Sequence, residues 1–275
     1  MTAQLARTAP ERFDRSRCPN CLNGRTRIFH EAPSVPVHSV LLMPTRESAL
    51  QFRRGDIRLG FCGSCGFVSN VAFDPDVHSY SQQYEETQGF SATFRSFHER
   101  LARSLIETYD IRGKRIVEIG CGKGEFLSLL CDLGDNTGVG FDPAFVPDRN
   151  PAPKSRRLTF VNDFYGETNA DVDADVICCK MTLEHIYDTR GLLETIRRSI
   201  AARETLVFFQ VPDFTRILRD RAFWDIYYEH CSYFTEAALK NLFQMSGFEV
   251  IASSTEYDGQ YLQIVGLPAA LSHSP

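Results

Sequence analysis

"VEIGCGKGEF" (residues 117–126) ends a short β-branched run, "KRIVEI", and opens "GEFLSLLCDLG", whose apolar residues recur at helical spacing. Gly120, Gly122 and Gly124 therefore stand between a strand and a helix, where backbone amides and a helix N-terminus can approach a ligand closely. Two familiar glycine loops do not fit. A dinucleotide fingerprint needs glycine at 125, which is Glu125, and a P-loop needs Gly-Lys-Ser/Thr, whereas Lys123 is followed by Gly124. A tight strand-to-helix turn that holds no ligand is the plainer reading of the loop alone.

Working outward, strands and helices alternate. "NTGVGFD", "ADVICCK" and "TLVFFQVPD" read as strands, and "SATFRSFHERLARSLIETY" and "TRGLLETIRRSIA" as helices. "SYFTEAALKNLFQMSGFEVI" reads as a helix capped by Thr235 and closed by Gly247, then a strand. Alternation of this kind predicts a parallel sheet with helices on both faces. "GQYLQIVGL" follows the preceding strand after a turn too short for a helical crossover, so the last pair is expected to be antiparallel.

Glu118 before the loop and Asp142 at the end of the next strand lie where carboxylates can accept hydrogen bonds from a ribose-bearing ligand. Hydrophobic-Glu-x-Gly-x-Gly-x-Gly followed by a strand ending in Asp resembles the class I S-adenosylmethionine (SAM) methyltransferases over about residues 91–266. The resemblance implies a Rossmann-like, mostly parallel seven-stranded sheet with an antiparallel last strand. It also implies SAM as cofactor, with the Gly120–Gly124 loop beside the methionine part, Asp142 on the ribose hydroxyls, and Asp163 in "VNDF" facing adenine. Glu118, Pro143, Phe164 and Lys180 complete the implied cofactor set. In "KMTLEHIYD" the resemblance places Leu183, Glu184 and His185 beside the cofactor and substrate mouth, where capping and packing account for His185 equally well.

Cys18 and Cys21 form one CxxC pair and Cys62 and Cys65 another, with 40 residues between the pairs. Four thiolates are the tetrahedral set of a structural Zn²⁺ site, which leaves no coordination position for a substrate. Free reduced thiols are the other reading. Cys121, Cys131, Cys178, Cys179 and Cys231 lack metal spacing and fall mostly in strand or helix patterns, as small apolar fillers. The expected organisation is a tail (1–17), a zinc-binding module (18–72), a connector (73–90), a methyltransferase domain (91–267) and a second tail (268–275).

"DIYYEHCSYF" (225–234) lies between the fifth strand of that domain and its last helix. With the cysteine module and the Tyr-rich connector, it resembles the sugar C-methyltransferases, which methylate nucleotide-linked 4-keto-deoxysugars. A carbon acceptor must lose a proton next to a carbonyl before it can take a methyl group, so a base is needed, and histidine titrates near neutral pH. The resemblance makes His230 that base and Glu229 its partner. Tyr227 becomes the donor to the developing enolate oxygen, with Tyr80 or Tyr84 reaching in from the connector. Tyr228 departs from relatives that carry a further histidine there. The simpler reading is that Tyr, Glu and His satisfy one another in a buried turn. Members of that family continue into a second Rossmann-like domain, whereas this sequence ends at Pro275, so the resemblance implies a shortened relative or a piece of a longer chain.

The 275 residues are 43% apolar, enough for an ordinary core, and a net charge of −5 gives no general pull toward phosphate backbones or anionic membranes. No run approaches the roughly 20 apolar residues of a membrane span, and nothing reads as a signal peptide, so a cytoplasmic protein with a small-molecule acceptor and no nucleic-acid partner is expected. Two further readings stay open: O- or N-methylation of a small metabolite, and a zinc-containing rRNA methyltransferase should Arg25, Arg27, Arg53, Arg54 and Arg58 fold onto one face. A non-catalytic module that retains SAM is a third.

Overall fold

The structure, a computed structural model, describes residues 17–77, 88–146, 157–169 and 172–270. Its centre is β4 (Arg115–Ile119) and β7 (Val176–Lys180), adjacent parallel strands buried almost throughout. From β4 the chain passes through α3 (Glu125–Gly134) to β5 (Thr137–Phe141), and β6 (Leu158–Val161) pairs beyond it. On the other side β7 pairs in parallel with β8 (Leu206–Pro212), after α4 (Thr189–Ile200). The sheet closes with β11 (Tyr261–Pro268) antiparallel to β8, and β10 (Phe248–Glu256) antiparallel to β11. The order β10-β11-β8-β7-β4-β5-β6 is the expected mixed sheet with an antiparallel end. Its strand order reverses between β4 and β7, which opens a crevice at the C-terminal ends of those strands.

The helices follow from local chemistry. In α2 (Ala92–Tyr109), Ser91 accepts from the Phe94 amide, and Phe94, Phe97, Leu101 and Leu105 bury one face beside α3. Asp188 caps α4, Asp213 caps the short α5 (Phe214–Asp220) and Thr235 caps α6 (Glu236–Met245), each side chain accepting from a first-turn amide. Helices α4 and α6 cover one sheet face with Leu193, Ile196, Leu239 and Phe243, and α2 and α3 cover the other.

The N-terminal segment builds a second, smaller sheet that the far end of the chain completes. β1 (Thr26–Pro36), β2 (Arg54–Cys62) and β3 (Val68–Asn70) form an antiparallel sheet, with α1 (Arg46–Leu50) between the first two. The fourth strand of that sheet is β9 (Ser232–Tyr233), from the far end of the chain: Val68 pairs with Tyr233 and Ser69 with Ser232. The four cysteines belong to the same core cluster as Phe234, Leu239 and Leu242. Asn20 Oδ1 accepts from Thr189 Oγ1 at 3.2 Å, and the Cys65 carbonyl accepts from Asn241 Nδ2 at 3.2 Å. A strand of three residues exposes its ladder unless a neighbour completes it, and β9 supplies that neighbour.

Two of the arginines of this sheet are engaged locally. Arg58 pairs with Glu31, Arg54 donates to the Ser34 carbonyl, and Asp56 lies between them on β2. Among the described residues no helix is long and apolar enough to cross a membrane.

Tyr228 locks the two parts together: its ring is buried against Phe73, its hydroxyl accepts from the Asp74 amide at 2.8 Å, and its edge fills the space beside Gly55. A Cβ at Gly55 would sit 2.3 Å from Tyr228 Cε2. Gly55→Ala is therefore expected to lower stability by about 1–3 kcal/mol, as overpacking does, read as a shifted chemical-denaturation midpoint.

Candidate active site

The glycine loop takes its shape from its backbone. Gly120 has φ +69° and Gly122 φ +53°, and a Cβ on Gly120 would lie 2.1 Å from Thr182 Oγ1. This conformation turns the Gly122 amide onto Asp142 Oδ2 at 2.9 Å, while Asp142 Oδ1 accepts from the Ala144 amide at 2.8 Å. Burial raises the Asp142 pKa against those two donors. Gly124 starts α3 in the left-handed region, accepting from Ser128 Oγ through its carbonyl.

The crevice at the strand ends is a cleft of about 510 Å³, lined at one end by Glu118, Gly120, Gly122, Asp142, Pro143, Phe164 and Lys180. Two residues implied for the cofactor are not in its wall. Asp163 is exposed, and its Oδ1 is taken up by the Phe164 amide at 2.8 Å; this turn puts the Phe164 ring in the cleft in its place. Gly124 stands behind the loop as the helix start.

The floor of the cleft carries buried charge. Lys180 Nζ donates to His98 Nε2 at 3.0 Å and lies over the rings of Phe94 and Phe126. Burial, with the Lys180 charge adding to it, pushes His98 down to about 3, so it is a neutral acceptor. Glu118 is raised to about 8 by burial, against the pull of Lys180, and its Oε2 has no hydrogen-bond partner among the described residues. An orphaned buried acceptor facing a cleft suits a ligand that brings its own donors. Sequence reasoning missed Phe94, Phe126 and His98 as parts of this floor, because their spacing in α2 and α3 reads only as core.

The other end of the cleft is built by the 225–234 segment and the 3-10 turn Leu183–His185. The His230 amide donates to the Tyr227 carbonyl at 3.2 Å, closing a turn that sends residues 227 and 230 one way and 228 and 229 the other. Tyr227 and His230 line the cleft, with Tyr227 Oη 2.7 Å from His230 Nε2. The His185 ring stands 4.8 Å from that of His230, edge to face. Burial holds the His230 pKa well below the usual imidazole range, helped by the neighbouring His185 and opposed by the charge of Glu229. Burial, with the charges of Glu184 and Glu229 adding to it, raises Tyr227, so both groups are neutral near pH 7.

Glu229 does not hold the His230 ring. His230 Nε2 meets Tyr227, and its Nδ1 has no partner among the described residues. The turn sends Glu229 into the N-terminal sheet instead: Oε1 is 3.0 Å from His38 Nδ1, while Oε2 accepts from the Ser39 amide at 2.8 Å and from the Ser39 hydroxyl. Cys231 is buried with its thiol pushed up to about 12 by burial, which makes it packing and no nucleophile. Tyr80 and Tyr84 lie outside the described residues.

Cys18, Cys21, Cys62 and Cys65 converge, with Cys18 Sγ 3.6 Å from Cys65 Sγ and Cys21 Sγ 3.7 Å from Cys62 Sγ. A tetrahedron with Zn–S bonds of about 2.3 Å has S···S edges of about 3.8 Å. The donor set therefore fits a thiolate-bound metal ion.

The comparisons with known proteins agree with this architecture. Residues 86–253, more than half the chain, match the family model described as a methyltransferase domain. Over 170 residues the chain is 28% identical to C-methyltransferase NovU of Streptomyces niveus, covering 58% of this chain and 39% of NovU. It is 26% identical over 171 residues to 2-ketoarginine methyltransferase of Streptomyces arginensis, covering 55% and 50%. The matched part thus spans half or less of the length of these curated relatives. Among solved structures, 1,6-didemethyltoxoflavin-N1-methyltransferase of Burkholderia thailandensis, with bound S-adenosylhomocysteine, shares the fold. Its TM-score is 0.50 at 16% identity, over 66% of this chain and 83% of that one.

Glu229→Gln, which takes the charged acceptor from His38 and Ser39, is expected to cost about 1–3 kcal/mol in chemical denaturation; an unchanged midpoint would show that this buried carboxylate is not structural. A glycine loop at a sheet switch point, an acidic residue closing the next strand, and a matching family model lead to one assignment: the chain belongs to the methyltransferase domain family and carries a class I SAM-dependent methyltransferase domain.

Proposed function

We propose that this chain transfers the methyl group of SAM to a carbon next to a carbonyl in a small molecule, a nucleotide-linked keto-deoxysugar foremost, with His230 as general base. The observation that carries the reading is the Tyr227–His230 contact of 2.7 Å in the wall of the cleft. The phenol and the imidazole nitrogen share one proton across it. Once an acceptor separates them, the phenol donates to an oxygen and the imidazole nitrogen offers a lone pair to a C–H proton. These are the two functions that enolisation requires. NovU is named a C-methyltransferase, and the other relative is named for a 2-keto acid; both names suit an enolisable acceptor.

When bound, SAM supplies an electrophilic methyl group on a sulfonium. The chain's residues do the rest. Asp142 would meet the ribose hydroxyls, the Gly120–Gly122 backbone would allow close approach, and Glu118 and Lys180 would meet the charged amino-acid end. Pro143 and Phe164 offer apolar surface on the adenine side. Among the alternatives, O- or N-transfer needs no carbon acid, and solvent exchange at the acceptor separates it from C-transfer. The acidic residues interleaved among the N-terminal arginines give an RNA partner no support.

The four cysteines are proposed to hold one structural zinc ion that ties Cys18–Cys21 to the β2–β3 turn. Metal analysis of the purified chain is expected to return about one zinc per chain, with Cys62→Ser losing it and lowering the melting temperature. No metal in the wild-type chain would leave the cysteines as free thiols.

To test the base, mass spectrometry of products from keto-sugar nucleotides and 2-ketoarginine incubated with SAM is paired with deuterium exchange at the acceptor carbon. His230→Gln is expected to lower turnover by about 100-fold or more, the usual worth of a general base, with S-adenosylhomocysteine affinity retained. Unchanged turnover with intact cofactor binding would remove His230 from the role.

A further inference from the structure

With Glu229 drawn into the N-terminal sheet, the His230 ring does not meet the carboxylate expected of it. Another carboxylate stands at the same end of the cleft. Glu184, in the 3-10 turn after β7, is 2% exposed and lines the cleft. One donor or acceptor atom of each of Glu184, His185 and His230 lies within 4.8 Å of the other two. Glu184 Oε2 and His230 Nδ1 are both buried without a hydrogen-bond partner among the described residues. Each of these neighbouring side chains thus carries one orphaned polar atom in the wall of a ligand cleft, which is costly to keep, and a proton moving between the two side chains offers both a partner. A span of up to 4.8 Å is closed by one bridging water or a small side-chain rotation.

We infer that Glu184 is the carboxylate partner of His230 and holds the proton removed from the acceptor. The inference rests on the enolising reading above. The acceptor C–H bond breaks, its electron pair passing into the enolate and its proton to a ring nitrogen of His230. That proton then moves to the Glu184 carboxylate, which becomes a neutral acid, and the imidazole returns to its neutral form. The enolate carbon bonds the methyl carbon as the carbon–sulfur bond breaks, leaving its electrons on sulfur. Release of product lets Glu184 lose the proton to solvent.

The surroundings favour this direction. A charged imidazolium is disfavoured where His230 is buried, whereas the Glu184 carboxyl is pushed up to about 8 by burial, against the nearby Lys180 charge. The proton is therefore more stable on Glu184 than on His230; the carboxylate form that accepts it is the minority species at pH 7, so turnover is expected to rise with pH toward about 8. Cys179 and Tyr227, which also face Glu184, are held neutral by burial and leave it without a competing charge.

The test compares Glu184→Gln, Glu184→Asp and His230→Gln in the full chain, with 2-ketoarginine and a nucleotide-linked 4-keto-6-deoxysugar as probe acceptors. Glu184→Gln is expected to lower kcat by about 100-fold with KM within about threefold, and Glu184→Asp to recover at least about tenfold of that loss. Exchange of the acceptor C–H with deuterated solvent should fall in step, and S-adenosylhomocysteine affinity should stay within about twofold, which shows that the fold is intact. If Glu184→Gln keeps kcat within about threefold while His230→Gln loses it, Glu184 has no such role and the enolising reading stands. If both variants keep full turnover, that reading fails with it. A second equivalent of zinc, bound by the full chain and lost in Glu184→Gln, would make the trio a metal site and overturn the inference.

Discussion

The two-residue pairing of Val68–Ser69 with Ser232–Tyr233 is where the N-terminal sheet and the methyltransferase domain become one body. The Asn70 amide extends it, donating to the Cys231 carbonyl at 2.9 Å. A pairing this short has little stability of its own; it persists because the residues around it are buried from both sides. Tyr228 packs into the N-terminal sheet, Phe234 packs on Phe67, and Ser232 Oγ donates to the Ile186 carbonyl at 2.7 Å. Between those anchors the chain turns once, at 227–230, and that turn delivers Tyr227 and His230 to the cleft.

This arrangement connects the cysteine cluster to the cleft through the chain. The cysteines pin the β2–β3 turn, β3 carries β9, and β9 is continuous with the turn that holds His230. His38 and Ser39 hold Glu229 from the same N-terminal segment, and Val40 next to them reaches the cleft wall. The N-terminal segment therefore supplies both the frame and part of the wall on one side of the cleft. The glycine loop, on the other side, depends only on the parallel sheet.

The cleft floor is a buried set of opposed groups, with Lys180 between Glu118 and Glu184 and His98 kept neutral beneath it. Charged groups this far from water are tolerated when they offset one another or when a ligand completes them. That condition joins the cofactor end of the cleft to its acceptor end through a single lysine.

The fold class was legible in the sequence because it depends on local regularities: the glycines between "KRIVEI" and "EFLSLL", the alternation of strand and helix, and a final turn too short for a crossover. The four cysteines were legible by spacing, since two CxxC pairs need only meet once. The partners of the site were not. Glu229 and His230 are neighbours in the chain, and the sequence reading paired them, but a single turn sends adjacent side chains to opposite sides. Of the adjacent pair Asp163 and Phe164, both expected at the cofactor, only Phe164 lines the cleft, for the same reason. Glu184, which the resemblance already set beside the substrate mouth, lies 46 residues before His230 in the sequence, and only packing of the turn after β7 against the 227–231 segment brought the two side chains together. Local pattern therefore determined which elements form. Tertiary structure alone decided which titratable side chains share a buried space, because burial and distance are properties of the packed chain and not of spacing along it.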